Sequence, residues 1–268
     1  YITSVRYPKE GGYYAFSKKL RERANISYNH SIQKIDLQQK KVYFENGSSQ
    51  TYSKLINTIP LPEFVLKTNP PEAVSQAALG LSCSEVLLLN FEILHPATRN
   101  NQWLYVYDLD KYACRINYTD LLSPNNGEPG KCGIQVEVYF SKYRKQTEQT
   151  EIIISKVKKE LVEMGLVNNF DSFGDMNHNR IKYANVIFDH HRKKNLEIIF
   201  NYLEAYGLKR EVDDLEAMTD WDTKWQKTET CGDLLLGGRF GQWNYYWTDD
   251  CVLRGKWIAE GLQRINSL

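Results

Sequence analysis

The sequence predicts an α+β protein with mixed and antiparallel sheets and flanking helices. Three observations predict it. Residues 84–140 are mostly strand-like, the segments after them place apolar residues at helical spacing, and no internal repeat or low-complexity run interrupts either pattern.

The elements follow in order. Gly11-Gly12 precedes a helix over 13–24 that ends in basic residues, as the helix dipole favours. Residues 26–35 and 41–44 read as strands, Asn46-Gly47 as a tight turn, and 50–52 as resumed extended structure. The short apolar run 55–60 is halted by proline, and Pro60, Pro62, Pro70 and Pro71 mark a change of organisation. Strands are expected at 85–91, 103–107, 113–118 and 133–140, with a breaker-rich loop over 123–130. Thr150 caps a helix carrying Ile153, Val157, Leu161 and Met164, which Gly165 closes. A strand over 181–188 leads to a second amphipathic helix through Leu196, Ile199, Leu203 and Tyr206, ended by Gly207. Residues 211–230, with Trp221 and Trp225 four apart, read as a half-exposed helix. The strand 234–236 leads into Gly237-Gly238-Arg239, and a last helix begins near Asp249 and Asp250.

Composition narrows the function classes. The 268 residues include 34 Lys+Arg and 33 Asp+Glu, a net charge of +1, with 42% hydrophobic and 25% charged residues. Those values exclude a disordered, collagenous or disulfide-scaffold chain and argue against a nucleic-acid binder, which carries clustered basic charge. The 18 Tyr, 10 Phe and 6 Trp are a surplus that serves cores or pockets for flat and sugar-like ligands. Five scattered cysteines without a C-x-x-C read as free thiols, and no apolar run approaches a membrane span. With no signal-peptide pattern, a cytoplasmic location is expected, and the N-x-S/T triplets at Asn25, Asn29, Asn46 and Asn117 read as chance matches. The opening on Tyr1 without an initiator Met is read as part of a longer protein.

No G-x-S-x-G, H-E-x-x-H, P-loop or G-x-G-x-x-G motif occurs, and the adjacent His190 and His191 read as surface residues. The informative segment is 237–250. Its glycines beside Arg239 let backbone and guanidinium approach a phosphate, and the helix start at Asp249 and Asp250 suits an anion or an electron-rich carbonyl. The same residues also read as an aromatic core corner with an ordinary cap.

Five pieces in order resemble a known family. Gly238-Arg239-Phe240-Gly241-x-Trp243-x-Tyr245, followed by Asp249-Asp250 and Gly255, resembles the C-terminal flavin motif of UDP-galactopyranose mutase-like and protoporphyrinogen (amine) oxidase-like flavoproteins. Tyr7-Pro8-Lys9-x-Gly11-Gly12 is similar to the family's Y-P-x-G-G segment. The run from Leu55 through Thr58 and Pro60 resembles its return to the cofactor domain. Trp103-Leu104-Tyr105, Arg115 and Ser123-Pro124-Asn125 resemble its substrate-domain run, and 183–189 resembles a further strand, with Val186 where the family has Pro.

The resemblance implies an FAD-linked amine oxidase/mutase-like fold whose N-terminal Rossmann unit, which holds the ADP half of FAD, is missing from these residues. It divides the chain into a remnant of the cofactor domain at 1–70, an α+β substrate domain at 71–232 and a flavin-contacting loop and helix at 233–268. Residues 211–230 would be an insertion. It assigns FAD contacts to Gly11, Gly12, Thr58, Pro60, Gly238, Arg239, Asp249, Asp250 and Cys251. Trp103, Arg115, Tyr183 and Tyr245 would then face a nucleotide-sugar or other small-molecule substrate. The implied activity is that of an FAD-dependent oxidoreductase or sugar-nucleotide mutase, in bacterial lipopolysaccharide or polysaccharide biosynthesis, with the bond chemistry carried by the flavin. The chain alone is expected to bind FAD weakly or not at all. The competing readings are a non-catalytic carbohydrate- or partner-binding module derived from that fold, and a plain α+β domain with an aromatic core.

Overall fold

A computed structural model describes residues 6–209 and 232–266. Its elements run α1 (Tyr14–Arg23), β1 (Ile32–Asp36), β2 (Lys41–Phe44), β3 (Ser49–Thr51), β4 (Leu55–Asn57), α2 (Leu61–Lys67) and α3 (Glu72–Gly80). They continue through β5 (Cys83–Ile93), β6 (Trp103–Tyr105), β7 (Arg115–Tyr118), α4 (Thr119–Leu122), β8 (Cys132–Phe140), α5 (Thr150–Glu163), β9 (Phe173–Val186) and α6 (Arg192–Glu204). The last described elements are β10 (Leu234–Leu236), the short α7 (Gly238–Gly241) and α8 (Thr248–Asn266). The α+β class holds, and the sequence-predicted helix at 211–230 lies outside the described residues.

The chain forms two compact units. One comprises Tyr1–Ser27 and Ser84–Ala184, the other Tyr28–Cys83 and Asn185–Leu268. The first is built on a five-stranded sheet of order β6-β7-β8-β5-β9. Antiparallel pairing sets Leu87 opposite Val138, Leu89 opposite Val136 and Phe91 opposite Ile134, so one face of the β5-β8 pair is apolar. α5 covers that face with Ile153, Val157 and Leu161, all in the same buried cluster. Gly165, at φ 67, turns the chain out of α5 as expected of a C-terminal glycine. Glu160, buried on α5, accepts the backbone N–H groups of Tyr112 (2.9 Å) and Ala113 (3.0 Å), which fixes the approach to β7.

The opposite face is polar. Tyr105 pairs with Arg115 and Arg115 with Glu137, while Trp103 pairs with Asn117, Asn117 with Gln135 and Gln135 with Asn90. Directly paired residues point the same way, so these form two adjacent rows across the strands. β9 begins at Phe173, eight residues before the strand expected from 181, because its first half is polar and exposed. As an edge strand it needs no buried alternation, which removes the signal that sequence reading relies on.

The second unit holds a small antiparallel sheet, β1-β2-β3, and a separate parallel pair, β10-β4. Two helices appear where only a change of organisation was expected. Pro62 occupies the first turn of α2, and Pro71 is the N-cap of α3. Proline lacks only an N–H that a helix start leaves unpaired anyway, so these prolines open helices instead of ending structure. Thr68 Oγ1 lies 3.0 Å from Tyr202 Oη, tying the end of α2 to α6. Ahead of α6, Asp189 Oδ1 accepts the N–H groups of His191 (3.0 Å) and Arg192 (2.9 Å), a side-chain cap on the helix start.

Candidate functional site

In the second unit, the C-terminal ends of parallel β4 and β10 lie side by side, with Asn57 opposite Leu236. Ligands of open parallel sheets bind outside such strand ends. Here the ends carry Thr58 and Pro60 after β4 and the Gly237–Gly241 segment after β10. The Gly237 N–H donates to Asn57 O (2.8 Å), holding the loop to the strand. Gly241 sits so close that an added Cβ would lie 2.6 Å from Asn57 O and 3.2 Å from Thr58 Cα. Gly238 has φ +75, is half-buried, and has open space on its Cβ side. The structure thus brings Thr58 together with the glycine segment.

Arg239 is turned toward protein acceptors. Its Nε donates to Tyr246 O (2.6 Å), its Nη1 donates to Asn185 Oδ1 (2.9 Å), and its guanidinium lies 5.0 Å from the Tyr245 ring centre. It braces the loop from within. The aromatic run splits two ways: Trp243 is wholly buried, at φ 54, while Tyr245 and Trp247 are about half exposed. Buried Arg192 donates Nε (3.2 Å) and Nη2 (2.7 Å) to Trp243 O and secures this left-handed bend.

α8 starts at Thr248, one residue before the acidic pair expected to begin it. Asp249 and Asp250 lie in its first turn, and Asp250 Oδ2 accepts the Trp247 N–H (2.7 Å), as a third-position acid does in a capping box. The Cys251 N–H donates to Trp247 O (3.1 Å) inside the helix. This helix end therefore carries carboxylates, which oppose a phosphate and tolerate a neutral, hydroxyl-bearing ligand. Buried Arg254 donates to Leu236 O (3.1 Å) and fastens α8 to the end of β10.

The remaining predicted residues belong to the first unit. Gly11 and Gly12, at φ 78 and 60, form the turn into α1. Trp103 is half-buried on β6, and Tyr183 is half-buried on β9 with the Lys182 ammonium 4.9 Å from its ring. Arg115 is paired with Glu137, whose other oxygen accepts from Tyr139 Oη (2.6 Å). Burial alone would lower the Arg115 pKa, but the hydrogen bond and charge of Glu137 raise it. Sequence reading missed Glu137. It stands in an apolar strand where only the cross-strand register reveals its partner.

Among the described residues no group of acidic, His and Cys side chains could hold a metal ion, and no helix is long and apolar enough to cross a membrane. No family model and no curated protein matches the chain. Solved structures do. A reduced UDP-galactopyranose mutase superposes on 89% of this chain and 47% of its own, with TM-score 0.71 and 20% identity. A putative protoporphyrinogen oxidase from Exiguobacterium sp. 255-15 matches 94% of this chain and 51% of its own, with TM-score 0.62 and 12% identity. Wild-type putrescine oxidase bound to putrescine matches 95% and 53%, with TM-score 0.58 and 12% identity. The chain carries part of the fold of these structures. It spans about half the length of these structures, and the likeness is one of fold.

Proposed function

We propose that this chain is part of an FAD-dependent oxidoreductase or UDP-galactopyranose mutase-like enzyme acting on a nucleotide sugar or related small molecule, in polysaccharide assembly. The observation that carries the reading is the junction of the parallel strand ends, where Thr58 meets the Gly237–Gly241 segment and Gly238 leaves its backbone open. These residues fit the flavin and ribityl portion of the cofactor: the open Cβ side of Gly238 admits close approach, and the acidic first turn of α8 suits hydroxyl groups better than a diphosphate. A bound flavin supplies the hydride or electron-pair chemistry. The protein's own part is positioning: Arg239 and Arg192 hold the loop, Arg254 holds the helix, and Tyr245 presents an exposed ring beside them.

The test is the flavin content of the protein produced from its whole reading frame. FAD released on denaturation, near one per chain, supports the reading. A colourless protein that leaves added FAD free after gel filtration defeats it.

A further inference from the structure

The polar sheet face of the first unit carries a feature that the flavin reading does not use. A cavity of about 450 Å³ opens there, lined among others by Asn90, Glu92, Asn125, Lys131, Asp175 and Asn177. That volume falls in the range of small-ligand pockets. Beside Phe91 and Met176, two of its lining amides are held by a relay that starts behind them: Gln135 Nε2 donates to Asn90 Oδ1 (2.7 Å), and Asn90 Nδ2 donates to Asn177 Oδ1 (2.9 Å). Each member fixes the orientation of the next. The relay ends at the exposed Asn177 amide, beside the exposed Asp175.

Charge selects the ligand class. Lys131 is committed to Glu92 (2.7 Å) and Glu128 (3.2 Å), which leaves a surplus of negative charge in the lining. A phosphate would be repelled, whereas amides alternating with carboxylates satisfy groups that both donate and accept. Gly174 is matched to this arrangement, since an added Cβ would lie on Glu92 Oε2. The amide row continues across the sheet through Gln135 and Asn117 to Trp103, roughly 19 Å at the usual strand spacing.

We infer that this cavity is a binding site for a neutral saccharide, held through its hydroxyl groups by the amides of Asn125 and Asn177 and the carboxylate of Asp175. An extended chain follows the amide row toward Trp103, whose ring offers an apolar face to a sugar. Trp103 and Asn125 fall in the run that resembles the family's substrate domain, but binding here needs no flavin.

The experiment is isothermal titration of the protein, without added flavin, using cellotriose, galactotriose, inorganic diphosphate and magnesium chloride as separate probes. At least one trisaccharide binds, diphosphate and magnesium do not, and Asn177→Ala and Asp175→Ala each weaken binding about five- to tenfold. Both residues are exposed on an edge strand, so thermal unfolding of the variants stays at the wild-type temperature. Absence of binding by both trisaccharides overturns the proposal. So does binding that neither substitution changes, or binding of diphosphate or magnesium that both substitutions abolish. A protein that proves colourless with FAD leaves this result unaffected, so the two readings fail separately.

Discussion

Gly241→Ala tests whether the loop after β10 is seated on the end of β4 as closely as described. The new Cβ would lie 2.6 Å from Asn57 O, 3.2 Å from Thr58 Cα and 3.4 Å from Asn57 C. All three are backbone atoms, so no flexible side chain can yield. Overpacking of this kind costs about 1–3 kcal/mol. Working against it, alanine gains up to about 1 kcal/mol from helix propensity and reduced freedom of the unfolded chain. The net expectation is destabilisation of about 1–2 kcal/mol, with the loop displaced from the strand. Gly238→Ala provides the contrast, because its Cβ meets open space and the cost is only that of φ +75, about 1–2 kcal/mol, without displacement. Urea unfolding followed by circular dichroism gives the energies, and tryptophan emission reports Trp243, buried two residues beyond Gly241. Gly241→Ala should shift the native emission and Gly238→Ala should not. A Gly241→Ala protein within about 0.5 kcal/mol of wild type and with unchanged emission would refute the packing described.

Three further outcomes are expected. Asp189→Ala removes the cap on α6 and should cost about 1–2 kcal/mol in the same unfolding assay, while Asp189→Asn keeps most of it. The Asp233 carboxyl is held below its ordinary 3.8 by hydrogen bonds from Lys40 and then Lys54. Its contribution to stability is therefore full above that pH and lost as pH falls through the lowered folded value. Asp233→Asn should flatten the acid limb of the stability profile there, and an unchanged limb would count against the pairing. Burial pushes the Cys132 thiol up to about 12, so under native conditions a maleimide should label Cys83, Cys114 or Cys251 before Cys132, as read by peptide mass mapping.

Much of the fold was legible because its signals are local. The helical spacing of Ile153, Val157 and Leu161 marks α5 because that helix buries one stripe, and Gly165 and Gly207 sit at positive φ where helix ends demand it. The Gly237–Gly241 segment was legible for a related reason: its glycines answer to two backbone requirements, an open left-handed turn and a close approach. What escaped was set by partners distant in sequence. The prolines at 62 and 71 read as punctuation, and only their position at helix starts turns them into α2 and α3. The first half of β9 lacks alternation because an edge strand is solvated. Glu137 and the amide row of Asn90, Gln135 and Asn117 become a feature only once the register stacks them on one face.

The central claim is that the strand-end junction receives the flavin portion of FAD. It is tested most directly by the flavin occupancy of Gly238→Val in the protein from the whole reading frame, measured as fluorescence released on heating. The Cβ of a residue at this position meets no neighbour within 4 Å, so the valine branch fills the open approach, at the backbone cost of φ +75. The account predicts that occupancy falls at least about tenfold while the circular dichroism spectrum is unchanged, since about 1.4 kcal/mol of lost contact suffices. Equal occupancy in the variant and the wild type would contradict it.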